Sequence, residues 1–322
     1  MARRAGRSHP PSLLKLAERT IKDHGLLGRG DTVLCACSGG PDSTALLHVL
    51  ALLQKRIGHR VLGLGVDHGL RPEAPAELAI AAELAASLEI PFTIARVHVA
   101  PGSNLQARAR DARLGALFQA ASDAGAQTVA TGHTADDRAE TFLLRLLRGA
   151  GPKGLAVLPP RAPFPPLASL DEPNAAPMLE NPSPIELIRP LLRARRADIA
   201  AHLHRHRLAF ALDPSNLNPR FTRVRVRREL LPLLEDLSPA IVEHLSALAD
   251  MLAEPGAQSL KASTLSGLGR AQRQAIGRAE RLGKPVVEVS LSRDRSLVAT
   301  FPDGKIVLTQ AEPSRREKRR SG

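Results

Sequence analysis

A glycine-rich turn, Ser38-Gly39-Gly40-Pro41-Asp42-Ser43, lies between an apolar segment and a segment with helical spacing of leucines. Paired glycines allow a tight turn that presents backbone N–H groups, and the start of a helix adds a positive dipole end. The turn therefore predicts an anion site, with Ser43 as a further donor. Asp42 would repel that anion unless a cation lies beside it, which predicts magnesium. An ordinary turn with an aspartate cap is the alternative.

A second polar stretch, His133 to Thr141, follows another short apolar segment. On a helix, Asp137 and Glu140 are three residues apart and Asp136 and Glu140 are four apart, so the carboxylates converge on one face. Together with His133, they predict metal binding and proton transfer. A simple interaction of acidic side chains with the helix dipole is the alternative.

Arginines are concentrated in two segments with helical character. Arg110 and Arg113 share a helix face and either clamp phosphates or lie on a solvated surface. The second segment contains Arg220, Arg223, Arg225, Arg227 and Arg228. Three of these share one side and predict a row of contacts to nucleic-acid phosphates that takes no part in the chemistry of the turn. A solvated helix face is again the alternative.

Four strand–helix units between residues 31 and 148 would position these motifs. The predicted strands begin near Val33, Val61, Phe92 and Thr128, and each is followed by an amphipathic segment. This alternation predicts an α/β fold with a doubly wound, mainly parallel sheet and helices on both faces. Such sheets bind ligands at the carboxyl ends of their strands, where both polar motifs fall.

The chain divides into four segments of different composition. We predict, in order, an N-terminal extension with the first helix, the α/β domain, a smaller mostly helical RNA-binding domain that ends in a β-hairpin, and a basic disordered tail, over residues 1–30, 31–215, 216–312 and 313–322. The proline- and glycine-rich stretch from Gly149 to Pro190 predicts a long surface excursion without a further core element.

The charge balance favours a polyanionic partner. Lys and Arg number 45 against 32 Asp and Glu, which gives a net charge of +13. A solvated basic surface is the alternative. Aromatic residues make up 2% of the chain, and Trp and Tyr are absent from it, so base-stacking platforms are scarce. Recognition of RNA would therefore depend on arginine, on shape and on the pocket.

Other classes of protein are disfavoured by the apolar segments and the cysteines. No run of about 18 apolar residues is present, so we expect no membrane span. The basic start lacks an apolar signal-peptide core, which favours the cytoplasm over an organelle. The two cysteines, Cys35 and Cys37, share one face of a predicted strand, where we expect them to be buried. They give no support for a zinc or iron–sulfur site.

The glycine-rich turn resembles the S-G-G-x-D-S signature of PP-loop enzymes, which release pyrophosphate from ATP and activate a carbonyl-type oxygen as its adenylate. From residue 31 to about 232 the chain also resembles the tRNA(Ile)-lysidine synthetase family. The matching stretches are Ser38 to Ser43, Asp67 to Pro72, Ala109 to Arg113, His133 to Glu140, Leu143 to Gly151, Ile188 to Leu192, Asp213 to Asn216 and Arg223 to Arg227.

The resemblance implies that ATP adenylates the wobble cytidine of tRNA(Ile) with a CAU anticodon, and that free L-lysine then displaces AMP. It implies catalytic roles for Asp42, Arg113, His133, Asp137 and Glu140, ATP binding by Ser38 to Ser43, and magnesium binding by Asp42 and Asp137. The five arginines from Arg220 to Arg228 would bind the tRNA. The resemblance is compatible with a homodimer of this chain. The chain departs from the family pattern at Gln106, Leu114, Arg138 and Val224.

Two other functions remain as alternatives. A PP-loop tRNA thiolase activates the same kind of oxygen but delivers sulfur, which normally requires catalytic or cluster-binding cysteines. Cys35 and Cys37 are badly placed for that role. A nucleotide-gated RNA-binding protein without catalysis is the other alternative, and the acidic residues Asp42, Asp137 and Glu140 argue against it.

Overall fold

The computed structural model describes residues 11–99, 102, 105–164, 185–212, 221–253, 286–292, 295–300 and 307–310. The chain forms two compact units, one extending to Met251 and the other beginning at Leu252. In the described part of the chain, every helix is too short or too polar to cross a membrane.

The first unit contains a sheet with helices on both of its faces. Its elements are α1 (Leu13–His24), β1 (Thr32–Cys37), α2 (Pro41–Ile57), β2 (Arg60–Asp67), α3 (Ala74–Ser87), β3 (Phe92–Arg96), α4 (Leu105–Asp123), β4 (Thr128–Ala130), α5 (Ala135–Leu147), α6 (Pro152–Leu155), β5 (Arg161–Pro163), β6 (Glu186–Ile188) and α7 (Arg196–His206). The strand order is β3-β2-β1-β4-β6-β5, and only β5 pairs in the antiparallel direction among these described strands. The predicted α/β fold with a doubly wound, mainly parallel sheet is therefore confirmed.

Strand β1 lies between β2 and β4 and contributes to two cores. Val33, Cys35 and Cys37 pack into a cluster with α1, α2 and α7, whereas Leu34 packs into a second cluster with α4. Residues that alternate along a strand point to opposite faces, so both faces of β1 are covered by helices. Cys35 and Cys37 are buried free thiols, as the sequence predicts.

The prediction that residues 149–190 contribute no core element is wrong. Strand β6 pairs in parallel with β4, and β5 pairs with β6 at the edge of the sheet. Phe164 and Ile188 are almost completely buried. Each of the two strands has only three residues, which is too short to show an alternating pattern within a proline-rich sequence.

A helical stretch follows α7 and belongs mainly to the first unit. It comprises α8 (Thr222–Arg225), a π-helical segment (Val226–Leu230), α9 (Leu231–Leu237) and α10 (Ile241–Ala253). Arg223 and Arg227 of this stretch form ion pairs with Glu140 of α5. The division between the compact units therefore lies further along the chain than residue 215. A separate RNA-binding role for residues 216–312 stays a prediction.

The second unit contains an antiparallel sheet of three strands in the order β7 (Val286–Ser292), β8 (Arg295–Thr300) and β9 (Val307–Gln310). The predicted hairpin is thus part of this sheet. The N-terminal extension before residue 11, the helical stretch predicted up to residue 282, the turn at Pro302 to Gly304 and the basic tail lie outside the described residues.

Candidate active site

The glycine-rich turn joins the end of β1 to the first residue of α2. Ser43 Oγ accepts from the Ser38 N–H at 3.1 Å and donates to the Gly40 carbonyl at 3.0 Å, which fixes the turn. The N-cap residue is Gly40, so no side chain caps this 17-residue helix. The first N–H groups of this helix therefore form the positive end of its dipole without a side-chain acceptor, which suits an anionic ligand.

Two glycines allow neighbouring segments to approach this turn. Gly39 has a φ of +78°, and a Cβ atom there would lie 2.1 Å from the Glu77 carbonyl oxygen of α3. Gly132, after β4, would bring its Cβ atom to 3.0 Å from the Asp42 backbone. Sequence reasoning missed Gly132, because nothing in its local pattern shows that another segment packs against it.

Gly39→Ala should lower the free energy of unfolding by roughly 2 kcal/mol or more and weaken ATP binding, because the methyl group collides with α3 in a left-handed backbone conformation. Gly30 provides a matched control, since its φ is +88° and a Cβ atom added there would meet nothing within 4 Å. Gly30→Ala should cost only about 1 kcal/mol and leave ATP affinity unchanged. Urea unfolding and ATP titration measure both effects. Equal losses in the two variants would contradict the close approach of Glu77.

Two adjoining cavities open at the carboxyl ends of the strands. Their volumes are about 900 Å³ and about 660 Å³. Both are lined by Ser38, Asp42, Ser43, Arg113, Asp137 and Arg223. The structure thus brings the turn, the acidic motif of α5 and Arg113 together, where the sheet topology predicts a ligand site.

The Asp42 carboxyl group lies in an unfavourable environment. Burial, followed by the negative charge of Asp137, raises its pKa to about 6, and Arg196 and Arg227 oppose that rise. A buried carboxylate at the mouth of an anion site is stabilised by a neighbouring cation. The oxygen donor and its raised pKa therefore fit a magnesium ion held by Asp42.

Asp137 is already hydrogen-bonded on both oxygens. Its Oδ2 accepts from the Thr134 N–H and hydroxyl, each at 3.0 Å, in a capping box at the start of α5. Its Oδ1 accepts from Arg196 at 2.8 Å and from Arg223 at 3.2 Å. Burial alone would raise the pKa of Asp137, but Arg196 and the Thr134 N–H outweigh burial and lower it. A metal ion on Asp137 would therefore have to replace a guanidinium at Oδ1.

Glu140 is fully buried and is the centre of an arginine cluster. Its carboxylate accepts from Arg196 Nη1 at 2.7 Å, Arg223 Nε at 3.0 Å and Arg227 Nε at 2.7 Å. Two of the arginines predicted to contact tRNA are therefore engaged by the predicted catalytic carboxylates. Arg196 was missed from the sequence, because it lies at the start of α7 and far from either motif.

The remaining predicted residues have different surroundings. Asp136 does not join Glu140, because it accepts from Arg195 Nε at 3.0 Å and from the Arg196 N–H at 2.7 Å. Arg225 pairs with Glu229 on the surface, and Arg228 is exposed. Arg220 lies outside the described residues.

His133 and five arginines line the second cavity, and the arginines are Arg110, Arg113, Arg145, Arg189 and Arg223. Thr131 Oγ1 lies 2.9 Å from His133 Nδ1, and burial together with the charge of Arg189 lowers the His133 pKa to about 4. The imidazole is therefore neutral at pH 7. Burial lowers the pKa of Arg113, and the charge of Arg110 lowers it further. Burial also lowers the pKa of Arg189, to about 10. These positive charges repel one another, and a bound anion would relieve that repulsion.

The departures from the family pattern lie mostly in packed positions. Leu114 lines the second cavity and packs against the core cluster on α4. Arg138 is buried and donates to the Val157 carbonyl at 3.1 Å and to Asp250 at 2.6 Å. Val224 is buried, and the side chain of Gln106 lies outside the described part. Of the described departures, Leu114 lines the second cavity and Val224 lines the first.

Residues 15–234 match the model of the PP-loop domain. The chain belongs to the PP-loop family.

Among curated relatives, the chain is similar to the tRNA(Ile)-lysidine synthase of Symbiobacterium thermophilum, with 38% identity over 287 residues that cover 87% of this chain and 55% of that one. The tRNA(Ile)-lysidine synthase of Rhodopseudomonas palustris is 43% identical over 205 residues, covering 63% of this chain and 54% of its own. The chain thus spans about half the length of the curated relatives it matches.

A solved structure shares the fold. The U34-tRNA thiolase NcsA from Methanococcus maripaludis with its [4Fe-4S] cluster has a TM-score of 0.58 and 18% identity, over 74% of this chain and 79% of that one. At this identity the likeness concerns the fold alone.

Proposed function

We propose that this protein is a cytoplasmic ligase that joins lysine to carbon 2 of the wobble cytidine of tRNA(Ile) with a CAU anticodon, and uses ATP. The products are lysidine, AMP and pyrophosphate. The observation that carries the proposal is the meeting of two cavities at the turn and at Asp42. A reaction in which a nucleotide base and ATP meet at one phosphorus atom requires adjoining spaces of this kind.

The proposed reaction has two steps. The 2-oxo oxygen of the cytidine attacks the α-phosphorus of ATP, the bond to the bridging oxygen breaks, and pyrophosphate leaves. The ε-amine of lysine then attacks carbon 2, the carbon–oxygen bond breaks, AMP leaves and the amine loses a proton. Each step develops negative charge on phosphate oxygens, which preorganised donors stabilise.

Residues of the site have complementary roles in this proposal. The first N–H groups of α2 and Ser43 bind the departing phosphates, and Arg113 balances charge on the reacting phosphate. A bound magnesium ion would be held by Asp42, with Asp137 as the second candidate ligand, and would neutralise the leaving pyrophosphate. His133 is neutral in the ligand-free protein, and an arriving phosphate would raise its pKa toward the range needed for proton transfer.

The thiolase alternative is disfavoured by the cysteines. The whole chain contains two, Cys35 and Cys37, and both are buried in β1. An iron–sulfur cluster is normally held by three or four cysteines, and a sulfur carrier needs an accessible thiolate.

The decisive assay incubates the full chain with ATP, magnesium, labelled lysine and tRNA transcripts. We expect lysine-dependent label in tRNA(Ile) with a CAU anticodon, and AMP and pyrophosphate in equal amounts. A transcript with UAU in place of CAU is the matched control and should remain unlabelled. Sulfur transfer would support a thiolase instead, and nucleotide binding without any product would support a binding protein.

The arginines from Arg220 to Arg228 remain proposed tRNA contacts, and the structure suggests how to test them in pairs. Arg225→Ala/Arg228→Ala should weaken tRNA binding and flatten its salt dependence by roughly one unit of slope per lost phosphate contact, without changing ATP affinity. Arg223→Ala/Arg227→Ala should lower tRNA binding and also disturb the carboxylates.

Lys55→Ala/Arg60→Ala is the control for this pair of experiments, because both residues are exposed and Arg60 begins β2, at the opposite end of that strand from the site. Filter binding at several salt concentrations gives affinity and slope. A change in the control equal to that of Arg225→Ala/Arg228→Ala would show that only net charge matters, and would contradict the assignment of tRNA binding to residues 220–228.

A further inference from the structure

Three histidines from α2 and α7 meet away from the turn. His202 and His206 are one helical turn apart on α7, and His48 faces them from α2. His48 Nδ1 lies 2.9 Å from His202 Nε2, and one ring nitrogen from each of the three residues lies within 4.8 Å of the others. Two helices that are far apart in the sequence thus present three imidazoles to one point.

The chemistry of this cluster suits a borderline transition-metal ion. His48 and His202 are buried, and their contact at 2.9 Å requires one of the two facing ring nitrogens to be without a proton and available as a ligand. Nitrogen ligands about 2.0–2.1 Å from a tetrahedral zinc ion lie about 3.3 Å from one another, so ring nitrogens that are now up to 4.8 Å apart would move closer on binding. A set of imidazole nitrogens selects zinc, copper or nickel over magnesium or calcium.

The three histidines differ in burial, and the exposed one provides a path for an ion to enter the cluster. His48 and His202 are buried, whereas His206 is exposed. An ion can therefore enter beside His206 and keep a water molecule in its fourth position, as at open three-histidine sites. The positive charge of Arg205 lies near His202 and lowers the affinity of the cluster for a metal ion. Arg205 is not itself one of the residues of the cluster.

We propose that His48, His202 and His206 form a binding site for a divalent transition-metal ion of the zinc class. The ion would cross-link α2 to α7. These helices carry Asp42 and Arg196 at their first turns, so the link would hold two parts of the phosphate site in a fixed relation. This inference does not depend on the proposed reaction.

The test uses the full chain without a histidine tag, titrated with zinc chloride against a chromophoric chelator. We expect one zinc ion per chain and a rise in unfolding temperature at saturation. His206→Ala should weaken zinc binding by more than about 100-fold, the upper end of the cost of removing an outer-shell partner. Because His206 is exposed, this variant should fold as the wild type does.

His204→Ala is the matched control, since His204 is exposed on the same helix and stands outside the cluster. It should keep both the affinity and the rise in unfolding temperature. Cobalt chloride gives an independent signature, namely visible bands of a nitrogen-ligated ion that disappear in His206→Ala. Equal zinc affinity in the wild type and His206→Ala, or a cobalt–thiolate band from Cys35 and Cys37, would overturn the site and leave a hydrogen-bonded histidine cluster.

Discussion

Asp42→Asn should reduce pyrophosphate release by more than about 100-fold at saturating ATP and magnesium, while ATP binding without magnesium becomes at least as tight as in the wild type. The turn and the helix N-terminus attract phosphate, whereas the Asp42 carboxylate repels it. Two unit charges about 4 Å apart interact by roughly 4 kcal/mol at an effective dielectric constant near 20. A magnesium ion held by Asp42, as proposed above, would reverse this sign and would stabilise the transition state by several kcal/mol.

The two halves of this prediction require separate measurements. Pyrophosphate release with tRNA present reports the chemical step, and ATP titration in chelator reports the repulsion alone. Asp123→Asn is the control, because Asp123 is exposed at the end of α4 and changes charge equally. If Asp42→Asn releases pyrophosphate at the wild-type rate, Asp42 is only a residue of the first turn of α2 and takes no part in the chemical step.

The same variant should be more stable than the wild type when no ligand is bound. The folded-state pKa of Asp42, about 6, lies above its ordinary value of 3.8, so its ionisation destabilises the folded protein progressively as pH rises from about 4 to 6. The difference corresponds to roughly 3 kcal/mol at pH 7. Asp42→Asn should therefore unfold at higher urea concentration at pH 7, and the gain should vanish near pH 4. A pH-independent gain would point to a cause other than this carboxyl group.

The α/β framework was predictable because its signals are local. Each strand–helix unit shows its own hydrophobic period, and the turn after β1 has a distinctive composition. The sheet topology then places the residues after β1, β2 and β4 at one edge without further information. Strand β6 escaped prediction because three residues have no measurable period, although Ile188 is completely buried.

The pairing of side chains was not predictable from spacing. Arg223 and Arg227 follow a helical pattern that suits a phosphate row, yet their partner Glu140 lies more than 80 residues earlier. Long-range contacts between polar residues leave no periodic trace in a single sequence. The histidine cluster has the same character, since His48 and His202 are 154 residues apart.

Glu140 is the residue on which this long-range pairing depends. Its carboxylate is fully buried and balances three guanidinium groups, whereas the side chains of Arg196, Arg223 and Arg227 are 31%, 46% and 30% exposed. Glu140→Gln keeps the shape of the side chain but removes its charge. Breaking a buried ion pair costs about 3–5 kcal/mol, and the partial exposure of the arginines places this case at or below the lower end.

Glu140→Gln should therefore lower the free energy of unfolding by about 3 kcal/mol and the unfolding temperature by roughly 6–12 °C. It should also weaken tRNA-dependent pyrophosphate release, because Arg196 and Arg223 lose the partner that holds them beside Asp137. Glu229→Gln, which removes the surface partner of Arg225, is the matched control and should leave the unfolding temperature unchanged.

A double-mutant cycle separates the ion pair from simple damage to the core. If Glu140 and Arg227 stabilise each other, Glu140→Gln/Arg227→Gln should cost less than the sum of the two single changes, because the second change removes a guanidinium already left without its charge partner. Thermal unfolding of the four proteins at equal pH and salt measures this coupling. Additive losses would mean that the arginines are adequately solvated without Glu140. The carboxylate would then be buried because of the packing of α5 and not because of the charges of Arg196, Arg223 and Arg227.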